Sequence, residues 1–138
     1  MKQLTFISGF LMIVIVTAIS CKKNNVTRGE YEVVLYNCGA LQESNSSICF
    51  DSLITDSRCP LNVNCPWQGT AVILVSFNEN NNTHQFKMSL QNYPAVGFAS
   101  DTTINGYNII FTKLVPYPDV SKPAPLPSEI KATFKISK

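Results

Sequence analysis

Gly69-Thr70-Ala71-Val72-Ile73-Leu74-Val75-Ser76-Phe77 is the most apolar stretch past the first twenty residues, and its alternation sets the architecture. Successive side chains of a strand point to opposite faces, so Ala71, Ile73, Val75 and Phe77 share one face and Thr70, Val72, Leu74 and Ser76 the other. Both faces are largely apolar, which predicts a strand with neighbours on either side. On each side of it the same texture continues: residues 31–38, 48–55, 84–90, 107–115 and 130–136 are short alternating or apolar runs bounded by turn residues. No run past residue 30 repeats apolar residues at helical spacing for three turns. In the last run Ile130, Ala132, Phe134 and Ile136 alternate with Lys131, Thr133, Lys135 and Ser137, a strand with one wet face whose apolar side joins a core. The polar run 78–83 reads as a connector between two strands, and Asn105-Gly106 as a tight turn, because both residue types tolerate positive φ. These signals predict an all-β domain, a small antiparallel β-sandwich of immunoglobulin-like kind with six to eight strands.

Composition narrows what such a domain does. Lys plus Arg number 11 and Asp plus Glu 9, so neither a polybasic surface for nucleic acid nor an acidic run that would signal disorder is present. Residues 4–19 form an uncharged apolar run behind Met1-Lys2-Gln3, the composition of an export signal and too short for a comfortable membrane span. Thr17-Ala18-Ile19-Ser20-Cys21 resembles the lipobox of bacterial lipoproteins, in which small residues precede a Cys that becomes the acylated first residue. The expected organisation is a signal peptide at 1–20, a lipid-anchored tether at 21–29 and one β-sandwich domain at 30–138; removing 20 of the 138 residues leaves 118, enough for one compact core. An ordinary secretory signal ending near Ala18 or Ser20 is the alternative. Basic Lys22-Lys23 stands where surface-exported lipoproteins look acidic, so the expected location is the bacterial outer membrane, facing the periplasm.

With Cys21 assigned to lipid, Cys38, Cys49, Cys59 and Cys65 remain in an oxidising compartment, and an even count there means two disulfides in one of three connectivities. Cys38–Cys49 and Cys59–Cys65 is the pairing favoured, since each spans a short connection that a sheet brings within bridging distance. The spacings lack a Cys-x-x-Cys knuckle and His84 is the only other soft ligand, so no metal and no cofactor is expected.

The most distinctive segment is Asp56-Ser57-Arg58-Cys59-Pro60, followed by Cys65-Pro66-Trp67-Gln68-Gly69, the apolar strand, and later Leu114-Val115-Pro116-Tyr117-Pro118. It resembles a family of uncharacterised bacterial lipoproteins and secreted domains that carry Asp-Ser-Arg-Cys-Pro, then Cys-x-Trp-x-Gly, then Leu-x-Pro-x-Pro before a final strand. The likeness covers most of 48–136, with Pro66 a local departure that bears on the backbone there. It implies a fold and brings no activity. Physically the segment is a stapled loop, with Pro60 and Pro66 restricting the backbone and Gly69 freeing entry to the strand. One reading makes it a cap on an open end of the sandwich. The other makes Asp56, Arg58 and Trp67 a rigid recognition surface, with Arg58 stacked on Trp67, since Arg and Trp dominate binding hot spots.

An enzyme needs a positioned nucleophile, base or metal, and His84 stands alone while the carboxylates are scattered, so no catalytic role is expected. Asp51-Ser52-Leu53 and Asp101-Thr102-Thr103 look like acceptors for bacterial O-glycosylation at Ser52 and Thr102. Lys122-Pro123-Ala124-Pro125-Leu126-Pro127 reads either as a stiff crossover between the last two strands or as a polyproline ligand. The expected function is a lipid-anchored module that binds an envelope protein. A binder of glycans or small molecules is the alternative, marked by a concave cluster of Trp67, Tyr93, Tyr107 and Tyr117; a hydrolase, marked by two facing carboxylates, is the third.

Overall fold

The computed structural model describes residues 28–42, 44–92 and 97–138. The expected signal peptide, acylated Cys21 and most of the tether lie outside these residues, as does Tyr93. Among the described residues eight strands run in chain order: β1 (Arg28–Val34), β2 (Asn37–Ala40), β3 (Ser46–Asp56), β4 (Ala71–Glu79), β5 (Asn82–Ser89), β6 (Asp101–Ile104), β7 (Tyr107–Val115) and β8 (Lys131–Ser137). They form two antiparallel four-stranded sheets, ordered β1-β8-β7-β6 and β2-β3-β4-β5. The all-β sandwich is therefore present. Each sheet is a meander of consecutive strands, and β8 returns to lie beside β1, in place of the interleaved Greek key of immunoglobulin domains.

β4 lies between β3 and β5, and residues 70–73 and 75–77 are buried, as a two-faced apolar strand requires. The core between the sheets is built from Ile48, Phe50, Ile73, Val75, Phe77 and Met88 on one side and Val33, Ile109, Phe111, Leu114, Phe134 and Ile136 on the other. Fully burying one such side chain contributes about 1.5–3 kcal/mol. A register shift between Phe111 and Lys113 leaves Thr112 as an extra residue, its hydroxyl donating to the Thr133 carbonyl at 3.1 Å. The parity of β7 changes there, so Leu114 enters the core and Lys113 does not.

One expected strand is corrected. Residues 31–38 do not form a single strand, because Tyr36 takes φ 65° and turns the chain from one sheet to the other. The amide of Leu35 donates to Ile130 beside β8, and that of Tyr36 donates to Phe50 in β3. β1 begins at Arg28, two residues before the expected domain boundary at residue 30. Both hairpins expected from sequence form, with left-handed Asn80-Asn81 between β4 and β5 and left-handed Asn105-Gly106 between β6 and β7.

Candidate functional site

The β3–β4 connection is long, and it is held from below before anything is presented above. Ser57 and Thr70 continue the ladder beyond the strands, with Ser57 N–H donating to Thr70 O at 2.9 Å, and Cys59 N–H then donates to Gln68 O at 2.8 Å. Gly69 makes that closure possible: its φ is +66°, and a Cβ there would stand 1.7 Å from the Ser57 carbonyl oxygen. Beyond it the Cys59–Cys65 disulfide closes a small ring. The second disulfide, Cys38–Cys49, joins directly opposed residues of β2 and β3 with Cα atoms 3.9 Å apart. Both pairs are those expected from spacing.

Arg58 locks the ring to the far side of the sandwich. Its side chain is buried, the residue only 6% exposed. Nε and one terminal nitrogen donate to the Asp56 carboxylate at 2.8 and 2.7 Å, and the terminal nitrogens also donate to the carbonyls of Leu114 at 2.7 Å and Pro116 at 2.9 Å. The guanidinium carbon lies 4.9 Å from the centre of the Tyr117 ring. A planar fork with several donors fits this job and a point-charge ammonium does not. The expectation that Arg58 stacks on Trp67 at the surface is thus corrected: it is buried beneath the partly exposed ring of Tyr117. A desolvated cation beside Asp56 takes whatever carbonyls lie in reach, and the end of β7 supplies them. The Leu61 amide adds a bond to Pro118 O at 2.9 Å, so the ring and residues 116–119 form one unit.

On this frame sit two grooves that meet at Pro60 and Tyr117. One, of about 380 Å³, runs between the ring and Tyr117, lined by Leu61, Val63, Trp67 and the amide residues Asn62, Asn64 and Gln68, with no charged residue in its wall. The other, of about 520 Å³, is lined by Pro116, Pro118, Val120, Pro123 and Pro125 with Asp56, Asp119, Lys122 and Glu129. Eight large apolar side chains are exposed among the described residues, and five of them, Leu61, Val63, Trp67, Tyr117 and Val120, line these grooves. Trp67 is 56% exposed and Tyr117 46%. Tyr117, expected as one member of the aromatic cluster of the glycan-binding alternative, is also the ring against which Arg58 lies; its flanking Pro116 and Pro118 fix it on an extended rail.

The remaining expected residues do not gather here. Tyr107 is buried at the opposite end, its ring 5.0 Å from that of Phe77, so Trp67 and Tyr117 share a groove without it. Ser52 is half-buried in β3 opposite Leu74, and Thr102 is half-buried on edge strand β6. His84 is exposed on β5. The carboxylates of the larger groove are engaged: Asp56 by Arg58, Asp119 by Ser121 and Lys122, and Glu129 by the Leu126 amide. The two Ser121 bonds, aided by Lys122, hold the Asp119 carboxyl below its ordinary range, the reverse of what a general acid needs. Among the described residues no cluster of three His, Cys, Asp or Glu is placed to hold a metal ion, and no helix is long and apolar enough to cross a membrane. No family pattern, curated protein or solved structure gives a significant match to this chain.

Proposed function

We propose that this protein is a recognition module that works by binding, held to a bacterial envelope membrane by lipid on Cys21, with a protein as its partner. The observation that carries the reading is the concentration of exposed apolar side chains around two adjoining grooves at one end of the sandwich. Contiguous apolar surface of this kind marks interaction sites, and a frame fixed by a disulfide and a buried Arg lowers the entropy lost on binding. Arg58 supports the surface from beneath, so the contacting groups are Trp67, Tyr117 and the aliphatic side chains of the ring.

The anchor rests on the lipobox-like Thr17-Ala18-Ile19-Ser20-Cys21 and on an oxidising location compatible with two disulfides. Acyl chains contribute roughly 0.8 kcal/mol per buried methylene, so a multiply acylated Cys21 holds the module firmly to its membrane. Mass spectrometry of protein from native membranes reads this directly: an unmodified Cys21 would overturn the anchor.

Mild detergent extraction of the tagged protein from its envelope tests the binding reading. A protein recovered in near-stoichiometric amount, and lost from both Trp67→Ala and Tyr117→Ala variants that melt like the native chain, is the expected result. Recovery unaffected by both substitutions, or no partner at all, would refute it.

A further inference from the structure

We infer that the loop end pairs with the same end of a second copy, each chain laying its proline segment 122–127 in the groove between Trp67 and Tyr117 of the other. The inference rests on the binding reading above and names the partner. Every second residue of the segment is proline, which holds Lys122, Ala124 and Leu126 out of the helical region. Leu126 shows the outcome, with φ −70° and ψ 152°, the polyproline II conformation. Residues 121–129 are all exposed, and no backbone group from Pro123 to Pro125 has a backbone partner among the described residues. A stiff segment pinned at both ends, with its middle residues open, loses little entropy when it docks, which is the basis of polyproline recognition.

The groove has the matching chemistry. Aromatic rings receive proline rings, and the amides of Asn62, Asn64 and Gln68 can donate to polyproline carbonyls; none of these three side chains makes a hydrogen bond within the described residues. The groove wall carries no charge, and the segment's one charge is Lys122, whose side chain is 73% exposed. It is already paired with Asp119 of its own chain at 3.5 Å, so it stays at the rim and brings no unpaired charge into the uncharged wall. Segment and groove both border Tyr117, so a two-fold axis near that ring lets each copy give and receive the same contact, the isologous closure common among homodimers. Anchored in one membrane plane, the copies would also meet at raised effective concentration.

The test is the molar mass of the mature, detergent-solubilised protein by sedimentation velocity, with and without the free peptide Ser-Lys-Pro-Ala-Pro-Leu-Pro. Expected are a dimer, its dissociation by the peptide with a shift in the fluorescence of the single Trp67, and a loss of dimer affinity of about tenfold or more in both Trp67→Ala and the Pro123→Ala/Pro125→Ala double variant. Circular dichroism confirms that each variant is folded. A monomer at every concentration overturns the inference, including a monomer that binds the peptide, since the groove would then serve another protein's prolines. So does a dimer that survives both substitutions. A monomer that still co-purifies with a different protein through Trp67 and Tyr117 would leave the binding reading standing while the self-pairing fails.

Discussion

Arg58 shows how one side chain joins parts of the chain that no local signal connects. Its bonds reach back two residues to Asp56 and forward 56 and 58 residues to Leu114 and Pro116. Asp-Ser-Arg-Cys-Pro marks the position as special, yet nothing local says whether the guanidinium faces water or the interior. The carbonyls that draw it inside lie at and just past the end of β7 in the other sheet, beyond the reach of any local pattern. Because it is buried, Arg58→Ala leaves the Asp56 carboxylate and two carbonyls without their donor, and removing one partner of a buried pair costs about 3–5 kcal/mol. Denaturant unfolding of the oxidised protein should show a loss near the lower figure, as the Asp56 side chain is 21% exposed. A change under roughly 1 kcal/mol, the range of surface pairs, would mean the clamp is not closed in solution. Gly69 offers a second contrast. Gly69→Ala meets both a left-handed backbone and the Ser57 carbonyl, whereas Gly97, at φ +73°, has nothing within 4 Å of an added Cβ. Gly97→Ala should cost about 1 kcal/mol from backbone strain alone, and Gly69→Ala distinctly more. Equal losses at the two sites would show that the ring simply shifts away.

Strands were the legible part of this chain, since period-two alternation reports burial directly: β4, β7 and β8 fall where their apolar faces place them. Corners were not. A tyrosine at φ 65° has no sequence signature, so the switch between β1 and β2 at Tyr36 reads as continuous strand. The bulge at Thr112 is equally silent, yet without it Lys113 would face the core. Disulfides were legible because each pair spans a short connection, and their lengths also forecast their effects. In the chain-entropy account, closing loops of these separations, 11 and 6 residues, contributes about 2.8 and 2.2 kcal/mol. The roles should nonetheless differ. Cys38–Cys49 ties edge strand β2 to β3, whereas Cys59–Cys65 shapes the groove wall. Cys59→Ser/Cys65→Ser should leave the sandwich folded by circular dichroism and weaken partner capture by about tenfold or more, since preorganisation is lost. Capture at native strength would show that the ring's shape does not matter to binding.

The two ends of the sandwich are closed by different chemistry, and pH should separate them. At the loop end the closing group is a guanidinium bound to carbonyls and a carboxylate. At the opposite end it is Glu79, last residue of β4, which accepts from Asn105 Nδ2 at 2.8 Å and from Lys138 Nζ at 3.3 Å, and both donors belong to the other sheet's side. Lys138 Nζ also sits 4.1 Å from the centre of the Tyr107 ring. The Asn105 bond, with help from Lys138, holds the Glu79 carboxyl below its ordinary value against the opposing effect of desolvation. Unfolding restores the ordinary value, so the unfolded chain takes up a proton at higher pH than the folded one. The contribution of Glu79 is therefore complete above the ordinary glutamate range and disappears as pH falls through its lowered folded value. Lys138 works in the other direction. Tyr107 first and Glu79 second raise its ammonium above the ordinary value, so its contribution holds below that value and is lost as pH climbs through the raised one. Asp119 is lowered as well, and its acid titration at the loop end would blur the first effect if native protein were followed alone. Comparing native protein with Glu79→Gln removes it, because Asp119 is unchanged in both. The variant should melt lower at neutral pH, and the gap should narrow as pH drops below the ordinary glutamate range. Hydrogen exchange should show the gain in opening at Glu79, Asn105 and Lys138, with the amides of Cys59 and Leu61 unaffected. A gap that stays constant down to strong acid would show that the tie between the sheets is not ionic, and equal loosening at both ends would show that the sandwich opens as one unit.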